Sequence, residues 1–128
     1  MAQGLSHSPA RRSRKDEGRS SLSYLRVLEQ VTSSGITQAE LGKAVGAAVR
    51  TVQTWAAGDN HPKGIKAQRL LDVQTIVSLL SDAYTDEGIK IWLHSRNRNL
   101  EMSRPIDLLT EGRIDEVLEE AQSVAGGM

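Results

Sequence analysis

The sequence predicts an all-α protein, and three observations support that fold class. Two short helical segments separated by a glycine lie between Ile36 and Gly58. A longer stretch, from Ile65 to Tyr84, repeats apolar residues at the spacing of one face of a helix. Beyond it, Pro105 suits the first position of a short helix, and Gly112 separates that helix from a final one.

Length and composition limit the class of protein. A chain of 128 residues that is 38% hydrophobic has room for one domain, or for one small domain with an appendage. No apolar run approaches the roughly 18 residues of a membrane span, and the N-terminus has no apolar signal segment. Cysteine is absent, which excludes disulfides and thiolate metal sites and fits a reducing cytoplasm. We therefore expect a cytoplasmic protein with no membrane contact.

The formal net charge of zero hides an uneven distribution of charge along the chain. Residues 1–58 contain eight Lys or Arg and four Asp or Glu, whereas residues 101–128 contain two and seven. The front of the chain therefore suits phosphate groups, and the acidic end is either a solvated face or suited to a basic partner. The four aromatic residues argue against a stacking surface for single-stranded nucleic acid.

The chain begins with a predicted disordered arm, residues 1–19, that is rich in Gly, Ser and Arg. The arm is either a solubilising tail or a segment that grasps phosphates in the minor groove, and charge alone does not separate these readings. Ser20 or Ser21 then caps a first helix. Its inner face consists of Leu22, Leu25, Val27, Leu28 and Val31.

Residues 37–58 predict a helix-turn-helix. Thr37 and Glu40 match a capping box at the start of the first helix, and Gly46 suits the left-handed turn that ends it. Val52 and Trp55 then hold the second helix against the core. Two short helices joined in this way form the unit that places its second helix in the DNA major groove. An ordinary helical hairpin without a DNA role is the alternative.

The second helix of this unit presents a face suited to base edges. Arginine bonds guanine, glutamine bonds adenine, and threonine contacts the methyl group of thymine. The candidate DNA-binding residues are Gln38, Val49, Arg50, Gln53 and Thr54. Gln38, at the start of the first helix, is placed to contact a phosphate. Because Arg50 is the only charge on this face and Ala48 stands at the cap position, we expect weak, salt-sensitive binding.

The long helix from Ile65 to about Tyr84 has an unusually wide apolar face. One stripe of apolar residues is flanked by Leu71, Leu79 and Ala83. We interpret this helix as the spine that joins the two halves of the chain. Its width also predicts a seam between copies, and hence a homo-oligomer. Shorter helices then follow over residues 86–94, 105–110 and 113–124.

Both halves of the chain resemble one known family. Residues 36–58, with the letters TQAEL, the turn glycine and RTVQTW, resemble the helix-turn-helix of Xre and phage repressors. The back half, with IWL, then Asn97 and Leu100, then RPIDLL and Gly112, is similar to the toxin-binding domain of Xre/MbcA/ParS antitoxins. It departs from that pattern at Arg96, where the family commonly has proline. It also lacks the usual glycine near Glu101 and Met102.

The resemblance implies a division of labour and a partner. Residues 20–84 would form the helix-turn-helix domain with its long helix, and residues 85–128 the toxin-binding domain. The implied function is that of the antitoxin in a RES–Xre toxin–antitoxin pair. The toxin of such a pair is a RES-domain protein that consumes NAD, and the antitoxin neutralises it by covering the toxin's active site. Many members also repress their own operon. The alternative is a dimeric transcriptional regulator whose C-terminal domain oligomerises or senses a ligand, with no toxin partner.

The predicted toxin-binding residues lie in the back half of the chain. They are Trp92, Asn97, Arg98, Arg104, Asp115, Glu116, Glu119, Gly126, Gly127 and Met128. Trp92, with the apolar Leu109, Val117 and Leu118, would maintain the docking domain. The acidic helix would face a basic rim of the toxin and accelerate association. The small final residues, predicted to be flexible, would carry the terminal carboxylate into the NAD cleft; an unstructured end without a role is the alternative.

Catalysis is not predicted. His7, His61 and His94 are scattered along the chain, and the glycines near Lys43 lack the spacing of a phosphate loop. The acidic helix has no histidine partners on a second helix that would make a metal site. We therefore expect a protein that is not an enzyme and that uses no cofactor or metal.

Overall fold

The fold was described from a computed structural model, which covers residues 23–126. Within that range the elements are seven α-helices and one turn of 3₁₀-helix. They are α1 (23–33), α2 (Gln38–Val45), α3 (Val49–Ala56), α4 (Gly64–Ser81), α5 (Asp86–His94), the 3₁₀ turn (Arg98–Leu100), α6 (Pro105–Thr110) and α7 (Ile114–Gly126). The predicted all-α fold class is confirmed. The predicted arm, residues 1–19, and the caps Ser20 and Ser21 lie outside the described residues.

The helices α2 and α3 begin and end at the residues that local chemistry favours. The Thr37 hydroxyl accepts a hydrogen bond from the Glu40 backbone N–H (3.1 Å), and the Glu40 carboxylate accepts one from the Thr37 N–H (2.9 Å). Gly46 has a φ of 86°, and its N–H donates to the Gly42 carbonyl at 2.8 Å. Since only glycine adopts this conformation without strain, the turn between the helices depends on that residue.

The approach of α2 to α3 is close at Gly42. A Cβ atom at this position would lie 2.5 Å from the Ala47 carbonyl oxygen and 3.5 Å from Cγ2 of Val52. Val52 and Trp55 are buried, at 0% and 3% exposure. Gly42 therefore allows the turn and α3 to pack closely against α2, a role that was not predicted from the sequence.

The helix α4 lies at the centre of the core, in contact with α2, α5 and α7. Its buried residues are Leu70, Val73, Ile76, Val77 and Leu80. The helix ends at Ser81, earlier than predicted, and Tyr84 lies beyond it with 39% of its surface exposed. Because α7 packs along α4, much of the wide apolar face that suggested an oligomer is buried within the chain. The homo-oligomer remains a prediction.

A polar contact fixes α1 against α4. Gln30 Nε2 donates to the Ser78 hydroxyl at 3.0 Å, and Gln74 Nε2 donates to Gln30 Oε1 at 3.1 Å. At the other end of α1, the Tyr24 ring stacks on His61, with centroids 5.9 Å apart. Both contacts join residues that are distant in sequence and together orient the helix that covers the back of α2 and α3.

The short helix α6 packs against α2 and joins the two halves of the chain. The buried residues of α1–α4 and those of α5–α7 form one hydrophobic cluster. The boundary predicted between residues 84 and 85 therefore does not separate two cores, and the division of function there remains a prediction. Along residues 23–126, no helix combines the length and the apolarity that a bilayer crossing requires.

Candidate functional site

The exposed face of α3 carries three of the five candidate DNA-binding side chains. Val49, with 43% of its surface exposed, Arg50 and Gln53 all face solvent. They fall on one side of the helix because residues three and four apart are neighbours. This arrangement leaves the guanidinium and the amide available to a groove of DNA.

The other two candidates are less available. Thr54 is half-buried, and its hydroxyl donates to the Thr51 carbonyl at 2.7 Å, so its methyl group is the part left for a base contact. Gln38 is half-buried and lines a shallow cavity of about 280 Å³ between α1, α2 and α3. The predicted phosphate contact by Gln38 therefore requires its side chain to leave this cavity.

A second group of exposed side chains lies on the loop after α5. This loop, residues 96–104, is closed by a backbone bridge in which the Asn97 N–H donates to the Ser103 carbonyl at 3.0 Å. The Asn97 side chain accepts from the Asn99 N–H at 2.9 Å. Asn97 therefore shapes the loop, whereas Arg98 points to solvent from the 3₁₀ turn.

Two residues at the tip of this loop have left-handed backbone conformations. Glu101 has a φ of 56° and Met102 a φ of 66°. Both are exposed, and Met102 leaves 53% of its surface accessible. The sequence lacks the glycine that the family pattern usually has near these two residues. That position thus lies in the one loop of residues 23–126 where non-glycine residues have positive φ.

The loop adjoins the acidic face of α7. Asn99 Nδ2 donates to Glu120 Oε2 at 3.0 Å and thereby joins the 3₁₀ turn to the helix. Between them lies a depression of about 420 Å³. Its lining residues are Asn99, Leu100, Glu101, Arg113, Glu116, Glu119 and Glu120. The structure therefore brings Asn99 and Glu101 of the loop together with the acidic residues of α7.

Arg113 organises the start of the acidic helix. Its guanidinium donates two hydrogen bonds to the Glu116 carboxylate, at 2.7 and 2.8 Å, and a third to Glu111 at 3.2 Å. These hydrogen bonds lower the pKa of Glu116 and raise that of Arg113. The negative charge of Glu116 is thus partly offset by the positive charge of Arg113. Asp115 and Glu119 are exposed.

Arg104 is also engaged within the chain. Its guanidinium makes a two-point ion pair with Asp107, at 2.9 and 2.8 Å. The hydrogen bonds from Arg104 lower the pKa of the Asp107 carboxyl, to which the nearby charges of Arg96 and His94 also contribute. The side chain of Arg104 is 43% exposed, so a partner would contact the ion pair rather than a free cation.

The apolar residues assigned to the docking domain lie in or against the core. Leu109 and Val117 are buried, and Trp92 and Leu118 pack against the core while partly exposed. Ile91, on the same helix as Trp92, leaves 57% of its surface exposed. His94 ends α5, with its Nδ1 2.9 Å from the Lys90 carbonyl oxygen.

The helix α7 extends beyond its predicted end at Val124, into the segment predicted to be flexible. The helix α7 continues through Ala125 to Gly126, so these two residues belong to the helix. Gly127 and Met128 lie outside the described residues. Within residues 23–126, no group of three or more His, Cys, Asp or Glu could hold a metal ion.

Comparison with known proteins decides the family. The probable mycobacterial cidal antitoxin Rv3188 of Mycobacterium tuberculosis (strain ATCC 25618 / H37Rv) is 34% identical over 101 residues, which is 79% of this chain and 86% of that protein. This chain belongs to the family of mycobacterial cidal antitoxins. A family model described as the Rv2175c C-terminal domain of unknown function also matches residues 72–125.

Further relatives of this cidal antitoxin family agree in sequence and in structure. The mycobacterial cidal antitoxin MbcA of Mycobacterium bovis is 32% identical over 94 residues, covering 73% of this chain and 83% of that protein. A chain in the crystal structure of the M. tuberculosis MbcT–MbcA toxin–antitoxin complex superposes with a TM-score of 0.64 at 30% identity. That match covers 80% of this chain and 92% of that one.

Two surface features of this cidal antitoxin were not predicted from the sequence. Asn99 and Glu120 were not among the candidates, because a bond between residues 21 positions apart has no local signal. Met102 was noted only as a departure from a glycine. Its exposure was not predicted, although an apolar residue in a polar loop is a signal that could have drawn attention to it.

Proposed function

We propose that this protein is the antitoxin of a RES–Xre toxin–antitoxin pair. It binds a RES-domain toxin that consumes NAD, covers the toxin's active site, and represses its own operon through α2 and α3. The observation that carries the proposal is the likeness to MbcA in the crystal structure of a toxin–antitoxin complex, at 30% identity and a TM-score of 0.64, over 92% of that chain. That likeness extends over both halves of the chain and supports an antitoxin role.

The acidic face of α7 and the adjoining loop are the proposed toxin-binding surface. The exposed carboxylates of Asp115 and Glu119, with the partly neutralised Glu116, produce a negative potential on one side of the molecule. Exposed charges of this kind affect the rate of association more than the final affinity. A toxin that must bind the pyrophosphate of NAD has cationic groups near its cleft. We therefore infer that the acidic face directs the antitoxin toward the entrance of that cleft.

The end of α7 is proposed to occlude the cleft. The helix α7 continues to Gly126, the last described residue, which follows the acidic residues on the same helix. Residues with small side chains fit a narrow site that would exclude a helix. In this scheme the docked domain supplies binding, and the last residues supply inhibition.

The exposed face of α3 supports the proposed repression. Arg50 and Gln53 present a forked cation and an amide to solvent on a helix whose partner, α2, is fully capped. These are the side chains that read guanine and adenine in the major groove. The negative end of the chain would repel DNA, so α3 must approach the operator with α7 turned away.

The test of the antitoxin role is an assay of NAD consumption. The proposal predicts that a neighbouring gene encodes a RES-domain protein. That protein is purified, and the loss of NAD is followed with increasing amounts of the full chain. We expect NAD loss to fall to background near an equimolar ratio. Full NAD consumption at a tenfold excess of the chain, with no complex on gel filtration, would overturn the toxin-binding proposal and favour a regulator without a toxin partner.

A truncation separates binding from inhibition. Removal of residues 126–128 should leave a stable complex in which the toxin still consumes NAD. Removal of residues 1–19 is the matched control, because it shortens the other end of the chain and should leave inhibition intact. If the C-terminal truncation still inhibits fully, occlusion by the tail is wrong and the docked surface itself covers the site.

A further inference from the structure

The loop between α5 and α6 holds two non-glycine residues in a strained backbone conformation, and glycine at these positions would relieve the strain. Glu101 and Met102 follow one another in the left-handed region, with φ values of 56° and 66°. An L side chain in this region brings Cβ close to the following carbonyl oxygen, and glycine does not. Elsewhere in residues 23–126, the residues with positive φ are all glycines.

The surrounding loop holds both residues in this conformation. The Met102 N–H donates to the Asn97 carbonyl at 2.8 Å, and the Glu101 N–H donates to the Arg98 carbonyl at 3.2 Å. Arg96 Nη1 donates to the Met102 carbonyl oxygen at 3.1 Å. The conformation is therefore imposed by the backbone, and the identity of the two side chains is not needed to form it.

Burial in the core does not account for Met102. The loop is anchored by Leu100, which is 9% exposed, whereas Met102 is 53% exposed. A large apolar side chain that strains the backbone and then stays in water is unfavourable on both counts. A residue of this kind is expected where the side chain contacts a partner.

The charges around the loop indicate the chemistry of that partner. Glu101 lines the depression of about 420 Å³ together with three carboxylates of α7. They are Glu116, Glu119 and Glu120. The bond from Asn99 to Glu120, at 3.0 Å, keeps the loop against this acidic face. An apolar side chain beside carboxylates suits an apolar socket with a basic rim.

We propose that Met102 is an anchor residue that inserts into an apolar socket on the toxin, with Glu101 meeting a basic group at the rim of that socket. This inference rests on the proposed function and extends it to the residues that provide affinity. The unbranched thioether adapts to such a socket without a fixed shape. The strained backbone presents the side chain in one direction and so reduces the ordering required on binding.

Three substitutions test the inference with the full chain and the purified RES-domain toxin. Met102→Gly removes the side chain and the strain, so the melting temperature should rise by about 2–4 °C while the dissociation constant for the toxin rises at least about tenfold. Met102→Ala removes the side chain but keeps the strain, so affinity should fall equally without the gain in stability. Glu101→Gln should slow association at low salt and leave dissociation nearly unchanged.

A control separates the anchor from general loss of apolar surface. Ile65, at 61% exposure on α4, is as accessible as Met102 and lies in the other half of the chain, so Ile65→Ala should leave affinity unchanged. If the wild-type chain binds the toxin and both Met102 variants bind it as tightly, Met102 is not an anchor, and the antitoxin proposal is unaffected. Wild-type chain that fails to bind would instead contradict the antitoxin proposal itself.

Discussion

Replacement of Gly42 by alanine provides a sharp test of the packing between α2 and α3. Helix propensity alone favours the change, since alanine is better than glycine in a helix interior by about 1 kcal/mol. The structure opposes it, because the new Cβ would lie 2.5 Å from the Ala47 carbonyl oxygen. Contacts between carbon and a carbonyl oxygen are normally about 3.3–3.6 Å, so the turn must open by roughly 1 Å.

The expected magnitude follows from these two opposing effects. Overpacking a tight site costs about 1–3 kcal/mol, and the upper end applies here because a backbone carbonyl, unlike the tip of a side chain, cannot rotate away. After the gain in propensity, we expect Gly42→Ala to reduce the free energy of unfolding by about 2 kcal/mol. For a domain of this size the melting temperature should fall by roughly 10 °C.

The assay is urea unfolding followed by far-ultraviolet circular dichroism, with the fluorescence of Trp55 and Trp92 as a second probe. Gly126→Ala is the matched control, because Gly126 also lies in a helix but a Cβ there would have no neighbour within 4 Å. The control should be neutral or slightly stabilising. If Gly42→Ala is as stable as the control variant, the close approach of α2 to α3 does not constrain this position and the reasoning fails.

Three further predictions concern DNA, assembly and pH. In a gel-shift assay, Arg50→Ala should weaken promoter binding by about 1–3 kcal/mol and relax the sequence preference. If both Arg50→Ala and Gln53→Ala bind the promoter as tightly as the wild type, α3 has no role in DNA binding. Light scattering of the isolated chain, at a concentration of roughly tens of micromolar, should show a dimer or a larger assembly. A monomer at that concentration would contradict the predicted homo-oligomer. Because Arg104 lowers the pKa of Asp107, the pair stabilises the fold above the unfolded pKa of the carboxyl. That small contribution should be lost below about pH 4, and Asp107→Asn should remove this part of the acid sensitivity.

Much of the helical fold could be predicted because the signals are local. Thr37, Glu40 and Gly46 act on backbone groups within four residues of themselves, so the capping box and the left-handed turn were readable from the letters. Pro105 at the first position of α6 has the same local character. The last two residues of α7 were missed because Ala125 favours a helix whereas Gly126 commonly ends one, so the local signals conflict.

The candidate site was predictable only in part, for a related reason. The exposed positions of α3 follow from the helical period, which places Arg50 and Gln53 on one face. The ion pairs of Arg104 and Arg113 were not predicted, although both partners lie within three residues. A charged residue in a sequence does not reveal whether its guanidinium is directed to a neighbour or to solvent.

The sequence by itself determined the order of the helices, the capping box and left-handed turn of α2, and the antitoxin-like pattern, because each of these depends on spacing along the chain. Only the tertiary structure decided that α6 packs on α2, that α7 covers α4, and that Asn99 meets Glu120 across 21 positions. It also decided that Glu101 and Met102 are held with positive φ. Such contacts depend on loop closure and on burial against distant residues, and the free energy that selects them is summed over the whole core rather than over any one segment.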